Sequence, residues 1–386
     1  MLRIAQLAPP FLPVPPPQYG GTERVVALLT EELVRRGHRV TLFASGDSQT
    51  TARLVPTVPT AVWAQPDQPP AVALALALGA CYGQAAEFDV IHSHVDLAAF
   101  PVARVSPTPT LHTLHGRLDL PALAPVYAAY PDIALVSISA SQRRPLPQAN
   151  WLATVYNAVD LPRLPFNPHG GRHLVFLGRI SPEKGVDRAI RIARRAGAEL
   201  VIAAREPLPA TDDANNRLDW EYYQMCVKPL LTEPGIHFVG EVGPTAKARL
   251  LGEALALLNP VDWEEPFGLV MAEALACGTP VLATPRGSVP ELIEQGVTGY
   301  LGDEATLAAA VAQVGSLDRR HCRAVAEARF SPARMADGYE AAYAQLLNGA
   351  DPRRSTAPTS IQAYQSPRSG PSSPAPIRIL RRRCEP

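Results

Sequence analysis

Strand-length apolar segments alternate with amphipathic helical segments along most of this 386-residue sequence. The first series opens with a buried strand at residues 2–8, followed by a helical pattern at 24–37 and a second strand at 39–45. Gly37 stands where glycine is favoured, just past a helix C-terminus. Two strands joined by a helical crossover pair in parallel, so the alternation predicts α/β domains built on parallel sheets.

The alternation falls into two series, separated by a loop rich in proline and glycine. The first series continues with predicted strands at 89–94, 110–115 and 134–139. The second has predicted strands and helices at 173–179, 185–197, 199–204, 236–240, 245–254, 255–260, 269–278 and 279–284. We therefore expect two facing, doubly wound, Rossmann-like parallel-sheet domains at 1–165 and 166–330. A predicted helix at 331–349 precedes a Pro-, Ser- and Arg-rich tail, 350–386, expected to be disordered.

Composition excludes several classes of protein. The hydrophobic fraction of 47% and the charged fraction of 19% are ordinary for a globular chain, and a net charge of +0 disfavours a nucleic-acid partner. The five cysteines lack ligand spacing, so free thiols and no zinc are expected. Prolines interrupt the N-terminal apolar run, and the apolar run 71–80 is too short for a bilayer span. We expect a cytoplasmic protein, with 71–80 as a buried helix and membrane contact at most peripheral.

Polar residues follow several predicted strands, at the sheet edge where doubly wound domains bind ligands. After the first strand, "YGGTE" places Gly20 and Gly21 before a helix N-terminus, where backbone amides could approach a phosphate. A tight turn explains the same glycines equally well. His92 and His94 lie at the end of one strand and His115 at the end of another. A structural role is the default for each histidine, and a ligand-facing role is favoured for His115.

The segment "GRISPEKG" places Arg179 and Lys184 on either side of a turn after a predicted strand. Arginine offers a two-pronged donor and lysine a point charge, so together they could hold a diphosphate from one side. The alternative is an exposed turn, since charged residues are commonly exposed.

The segment "WEEPFGLVMAE" separates Glu265 and Glu273 by an uncharged run. Were the whole run helical, the two carboxylates would lie ~12 Å apart. That is wider than the roughly 5–9.5 Å between the two carboxylates of a glycoside hydrolase. The spacing therefore favours two contacts with the hydroxyls of one extended ligand. The alternative is one surface acid and one acid facing along the helix.

These motifs together resemble the retaining glycosyltransferases of family 4, which have the GT-B fold. "EPFGLVMAE" matches the E-x7-E motif of that family. The segments "YGGTERVV", "GRISPEKGVDRAI", "FVGEV", "EALACGTPVLA" and "GSVPELIEQGVTGYL" occur in the family's order, and the resemblance covers residues 1–348. It implies an N-terminal acceptor-binding domain, a C-terminal nucleotide-sugar-binding domain, and a crossover helix at 331–349 that packs on the N-terminal domain.

The resemblance also implies a role for each matching residue. Arg179 and Lys184 would hold the donor diphosphate, Glu273 the ribose hydroxyls and Glu265 the hydroxyls of the donor sugar. Phe267, Gly268 and Leu269 would offer backbone amides near the sugar and phosphate. Gly20 and Gly21 would approach the donor phosphate or the acceptor, and His115 would be the cleft histidine. Catalysis would then rest on Glu265, Arg179, Lys184 and His115.

The implied reaction is hexose transfer from a nucleotide-sugar to an unidentified small-molecule, glycan or lipid acceptor, with retention of configuration and without a metal or other cofactor. Segments near the N-terminus resemble a branch labelled tetrahydrobiopterin glucosyltransferase, which points to UDP-glucose as donor. Two alternatives remain. A GT-B epimerase would need acid and base groups at the sugar and no acceptor, and a non-catalytic GT-B partner protein would bind no nucleotide.

Overall fold

The computed structural model describes residues 1–65, 67–209 and 214–349, without the side chains of 214 and 215. The chain divides into two compact units. Unit 1 comprises Met1–Asp160 and the described residues from Ala328 onward, and unit 2 comprises Leu161–Glu327. The division falls between Asp160 and Leu161, slightly before the expected boundary at 165/166. The expected disordered tail, 350–386, lies outside the described residues.

In the described part of unit 1, seven parallel strands form one sheet in the order β3-β2-β1-β4-β5-β6-β7. The strands are β1 Arg3–Leu7, β2 Arg39–Ser45, β3 Arg53–Val58, β4 Val90–Ser93, β5 Thr110–Thr113, β6 Ala134–Ser137 and β7 Trp151–Thr154. The helices are α1 Gly21–Arg35, α2 Pro70–Tyr82, α3 Phe100–Val105, α4 Ala124–Ala129 and α5 Ala140–Arg143. The strand order reverses between β1 and β4, so a ligand crevice is expected beyond their carboxyl ends.

Helix α2 corrects one expectation from the sequence. Ala73, Ala77 and Cys81 pack into the core, but Val72 and Leu76 are 50% and 52% exposed. The predicted buried helix is therefore buried along one face only. An apolar sequence without a polar stripe does not reveal which face is exposed, because all its faces are alike.

In the described part of unit 2, six parallel strands form a second sheet in the order β10-β9-β8-β11-β12-β13. The strands are β8 Leu174–Arg179, β9 Leu200–Arg205, β10 Ile236–Phe238, β11 Ala256–Asn259, β12 Val281–Ala283 and β13 Gly299–Leu301. The helices are α6 Val186–Ala196, α7 Ala214–Tyr222, α8 Pro244–Glu253, α9 Leu269–Ala276, α10 Val289–Leu292, α11 Glu304–Val314 and α12 Arg319–Arg329. The strand order reverses between β8 and β11. The prediction of two doubly wound parallel-sheet domains is confirmed.

The last described helix, α13 Pro332–Gly349, belongs to unit 1, although unit 2 precedes it in the chain. It packs on α1 and β7, and its Tyr339 and Tyr343 are fully buried. At its surface, Glu340 accepts hydrogen bonds from Arg36 and pairs with His38. Among the described residues, no helix is both long enough and apolar enough to cross a membrane.

Most of the described cysteines are inert thiols. Cys81, Cys277 and Cys322 are free and buried, and burial raises the pKa of each thiol to about 12. Cys226 is disulfide-bonded. The expectation of free thiols is therefore wrong at that position.

Candidate functional site

In unit 2, the loop between β8 and α6 carries the predicted phosphate-binding cations. Arg179, which is partly exposed, donates to Glu183 at 2.6 Å and lies 3.8 Å from Asp219. Burial raises the pKa of Glu183, but hydrogen bonds from Ser181, its own backbone amide and Arg179 outweigh that effect, so the pKa is lowered. A carboxylate thus holds Arg179 in place.

Lys184, on the same loop, contacts Glu265, which lies 81 residues further along the chain. The Lys184 Nζ donates to Glu265 Oε2 at 2.6 Å, and the Trp263 indole Nε1 donates to the same oxygen at 3.0 Å. The ammonium also lies 4.8 Å from the centre of the Trp263 ring. Among the described residues, nothing donates a hydrogen bond to Glu265 Oε1. This buried carboxylate therefore has one oxygen committed to the protein and one available to a ligand.

Two glycines fix the turn that carries Glu265 into α9. Gly268 has a φ of 80°, in the left-handed region that favours glycine, and it precedes the first residue of the helix, Leu269. Gly287 has a φ of 59°, and a Cβ at that position would lie 2.3 Å from the backbone nitrogen of Glu265. Ser288 donates from its amide to the Glu265 carbonyl and from its hydroxyl to the Phe267 carbonyl, at 2.9 and 2.8 Å. The first-turn amides of α9 therefore have a fixed position, and that of Met271 donates to the Gly268 carbonyl at 3.0 Å.

Glu273 lies in α9 and is buried against α8. The Lys247 Nζ, on α8, donates to Glu273 Oε1 at 2.5 Å. The other oxygen, Oε2, receives no hydrogen bond from any described residue. Sequence reasoning missed Lys247, because a single lysine in an amphipathic helix is ordinarily a solvent-exposed residue.

In unit 1, Gly20 and Gly21 lie at the start of α1. A Cβ on Gly20 would come within 2.7 Å of the Pro16 side chain, so the proline-rich loop packs closely against this glycine. Gly21 is exposed as the first residue of the helix. In the same turn, Glu23 is 6% exposed, and burial raises its pKa to about 7 against the opposing effect of a hydrogen bond from its own backbone amide.

His115 lies just beyond β5, where it meets the residue that follows β4. Its Nε2 is 2.9 Å from His94 Nδ1, and His94 Nε2 is 2.8 Å from the Gln6 side-chain oxygen on β1. Burial lowers the pKa of His115 to about 4. Asp96, a non-glycine residue with a φ of 48°, accepts a long hydrogen bond from the His115 amide at 3.4 Å. Burial raises the pKa of Asp96 to about 6, so the carboxyl ends of β4 and β5 carry several groups with perturbed pKa values.

The predicted site residues thus form two sets. Unit 2 holds Arg179, Lys184, Glu265, Phe267, Gly268, Leu269 and Glu273. Unit 1 holds Gly20, Gly21 and His115. Within unit 2 the structure joins Lys184 directly to Glu265 and gives Glu273 a separate lysine. Within the described ranges, no group of three His, Cys, Asp or Glu side chains is arranged to hold a metal ion.

Two doubly wound units, each with polar groups at the carboxyl ends of its central strands, are the architecture of the GT-B class of α/β proteins. Comparison with known families agrees. The model for Glycosyltransferase Family 4 matches residues 19–163, and the model for Glycosyl transferases group 1 matches residues 164–329. The chain belongs to this glycosyltransferase family.

Individual relatives and solved structures match the chain at modest sequence identity. A glycogen synthase of Mycobacterium tuberculosis is 30% identical over 259 residues, which cover 58% of this chain and 60% of that protein. The chain therefore spans about three fifths of that relative. A D-inositol 3-phosphate glycosyltransferase of Mycolicibacterium smegmatis is 29% identical over 411 residues, covering 90% of this chain and 92% of that protein. The Anabaena HepE crystal structure in complex with UDP-glucose superposes with a TM-score of 0.66 at 20% identity, covering 90% of this chain and all of that one.

Proposed function

We propose that this glycosyltransferase moves a hexose from a nucleotide-sugar to an acceptor with retention of anomeric configuration. The observation that carries the proposal is the pair of buried carboxylates, Glu265 and Glu273, on either side of the N-terminus of α9. Each commits one oxygen to a lysine and leaves the other without a hydrogen-bond donor among the described residues. Two such acceptors suit the hydroxyls at two places on one extended ligand.

In this proposal the two ends of the donor bind to different carboxylates. Glu273 accepts hydrogen bonds from the ribose hydroxyls, and Glu265 accepts from the hydroxyls of the hexose. The donor diphosphate lies between them, against Lys184, Arg179 and the first-turn amides of α9, where the helix dipole favours an anion. Because both cations already contact carboxylates, the diphosphate must share them with Glu265 and Glu183.

Transfer follows from the position of these charges. The acceptor hydroxyl attacks the anomeric carbon from the face that the diphosphate leaves, while the bond from that carbon to the diphosphate oxygen breaks, so the configuration is retained. The hydroxyl proton passes to the departing diphosphate, and Lys184 and Arg179 stabilise the negative charge that develops there. We propose no metal and no other cofactor, and addition of EDTA is expected to leave the rate unchanged.

UDP-glucose is the donor that we propose. The HepE complex supports the choice, since a protein of the same fold binds UDP-glucose. The acceptor is a small molecule, glycan or lipid that contacts unit 1, and no nucleic acid takes part. Membrane contact, if the acceptor is a lipid, is peripheral, and the protein is cytoplasmic.

A donor screen tests the proposal. The purified protein is incubated with UDP-, GDP- and ADP-sugars and a panel of acceptors, and the release of nucleotide is measured. We expect acceptor-dependent release of UDP from UDP-glucose, with NMR showing the donor's anomeric configuration retained in the product. Conversion of the nucleotide-sugar without an acceptor would indicate an epimerase. Absence of nucleotide binding by isothermal titration calorimetry would refute both enzymatic functions.

A further inference from the structure

A chain of buried polar side chains links His115 to helix α13 within unit 1. We call this chain the histidine relay; its members are Gln6, His92, His94, Thr113, His115, Tyr339 and Tyr343. Apart from half-buried His115, all are fully or almost fully buried. Beyond the two contacts described above, the Gln6 amide nitrogen lies 3.4 Å from the Tyr343 hydroxyl, and that hydroxyl lies 2.7 Å from His92 Nδ1.

The relay ends on Tyr339, the other tyrosine of α13. His92 Nε2 lies 2.8 Å from the Thr113 hydroxyl, which donates to the Tyr339 hydroxyl at 3.1 Å. The aromatic members also pack together, with the ring centres of His92 and Tyr339 4.7 Å apart. The relay therefore joins β1, β4 and β5 to α13, at the carboxyl edge of the sheet.

The direction of each hydrogen bond follows from the chemistry of the members. The Gln6 carbonyl oxygen can only accept, so His94 Nε2 must carry a hydrogen and donate to it. A neutral imidazole carries one N–H, so His94 Nδ1 is an acceptor. His115 Nε2 must then donate to His94 Nδ1.

A second hydrogen bond, from the Gln6 amide nitrogen, holds the Gln6 side chain in the same orientation. Its amide nitrogen donates to the Tyr343 hydroxyl, which is then free to donate to His92 Nδ1. His92 Nε2 therefore carries the hydrogen and donates to Thr113. The bonds from Gln6 through His94 to His115 have one direction, and reversing them requires the Gln6 amide to turn over.

We propose that Gln6, His94 and Tyr343 are positioning residues, which hold His115 in the Nε2–H tautomer so that its Nδ1 presents a lone pair. Among the described residues nothing donates to this nitrogen. A lone pair at this position accepts a hydrogen bond from a substrate hydroxyl, whereas a phosphate oxygen has no hydrogen to donate to it. This inference rests on the proposed function and concerns the residues that fix the tautomer of His115.

The low pKa of His115, about 4, agrees with this assignment. Burial also lowers the pKa of His94 and His92 well below the ordinary value, and the neighbouring histidines contribute in the same direction. The relay is therefore uncharged at neutral pH. A neutral nitrogen that only accepts cannot form a hydrogen bond with a phosphate oxygen. Protonation would place a hydrogen on both nitrogens of His115, and the single direction of its hydrogen bonds would be lost.

The tautomer can be read directly by NMR on the full-length protein labelled with 15N-histidine. We expect His115 Nδ1 at a pyridine-type shift and Nε2 at a pyrrole-type shift between pH 6 and 8, with His115→Gln used for assignment. A pyrrole-type Nδ1, or rapid averaging of the two nitrogens, would overturn the proposal. The NMR spectrum is recorded without turnover. The proposed sugar transfer can therefore fail while the tautomer of His115 is the expected one, and transfer can occur while the tautomer is not.

Variants at the two ends of the relay give the matched comparison. Gln6→Leu removes the acceptor for His94, and we expect averaged His115 shifts and a roughly 5–10-fold higher KM for the sugar donor or acceptor with a smaller change in kcat. Tyr339→Phe removes only the final acceptor and should leave the His115 shifts unchanged. A changed tautomer in Tyr339→Phe would show that the relay runs in the opposite direction, with Tyr339 as its first donor.

Discussion

At the scale of single residues, Glu273 is a hydrogen-bond acceptor whose position is fixed by the hydrogen bond from Lys247. We expect Glu273→Ala to weaken UDP binding by at least about tenfold, since hydrogen bonds to a charged group contribute about 1.5–3 kcal/mol and Lys247 would lose its partner. Isothermal titration calorimetry measures the loss. Glu264→Ala is the control, because this exposed neighbour of Glu265 lies nine residues earlier and contacts the Gly287 amide. Equal losses in the two variants would contradict a ribose-binding role for Glu273.

Lys184 differs from Lys247 because it lies beside the carboxylate assigned to the sugar. Lys184→Ala is expected to lower kcat by about 10²-fold, the usual effect of removing one group that stabilises developing charge. The effect on UDP affinity should be smaller, since Arg179 and the α9 amides remain. Rates of UDP release at saturating donor test this, with the exposed Lys228→Ala as control. Unchanged turnover in Lys184→Ala would exclude the phosphate role.

At the scale of elements, periodicity in the sequence located most strands and helices to within two residues. The predicted strand 39–45 and helix 185–197 correspond to β2 and α6. Several elements were missed, among them β13, α11 and α12. Strand β3 was missed because it contains Pro56, and a proline in a sequence argues against a strand. The strand lies at the sheet edge, where proline is tolerated. The π-helical segment Tyr223–Val227 follows α7 and has no periodicity that the sequence pattern could reveal.

The turn before α9 is the element that places Glu265, and Gly287 is its tightest contact. Gly287→Ala would force a left-handed φ on alanine, at roughly 1–2 kcal/mol, and would also push its Cβ into the Glu265 backbone. Gly197→Ala is a matched control, since Gly197 has a φ of 63° but open space around it. We expect both variants to lose thermal stability and only Gly287→Ala to lose donor affinity. Equal donor affinity in the two would show that the turn tolerates displacement.

At the scale of the whole molecule, the sequence indicated the order of elements but not the contacts between distant ones. Glu265 and Glu273 were found because their motif is local. Lys247 and the histidine relay were not, because their partners lie far along the chain: His92 and Tyr343 are 251 residues apart. His92 and His94 appeared as structural histidines, and their contacts agree, but no local pattern reveals that a helix from the far end of the chain completes their hydrogen bonds.

The histidines of unit 1 make its stability depend on pH. Burial lowers the pKa of His115 to about 4 and of His112 to about 3, below the ordinary 6.5 of an unfolded chain. The unfolded state therefore binds more protons than the folded state below pH 6.5. The stabilisation is complete above that pH and is lost as pH falls through the folded pKa values, by up to about 1.4 kcal/mol per pH unit for each histidine.

His112 separates this effect from the relay. Both its ring nitrogens are buried without a hydrogen-bond partner in the described structure, and its ring packs edge-on against Phe100. We expect His112→Leu to raise the stability of unit 1 by about 1 kcal/mol at pH 7.5, because it removes unsatisfied polar atoms, and to make the loss at low pH shallower. Hydrogen exchange of unit 1 peptides between pH 7.5 and 4.5 measures both effects, with exposed His321→Ala as control. An unchanged pH dependence in His112→Leu would mean that the relay histidines alone cause the acid sensitivity.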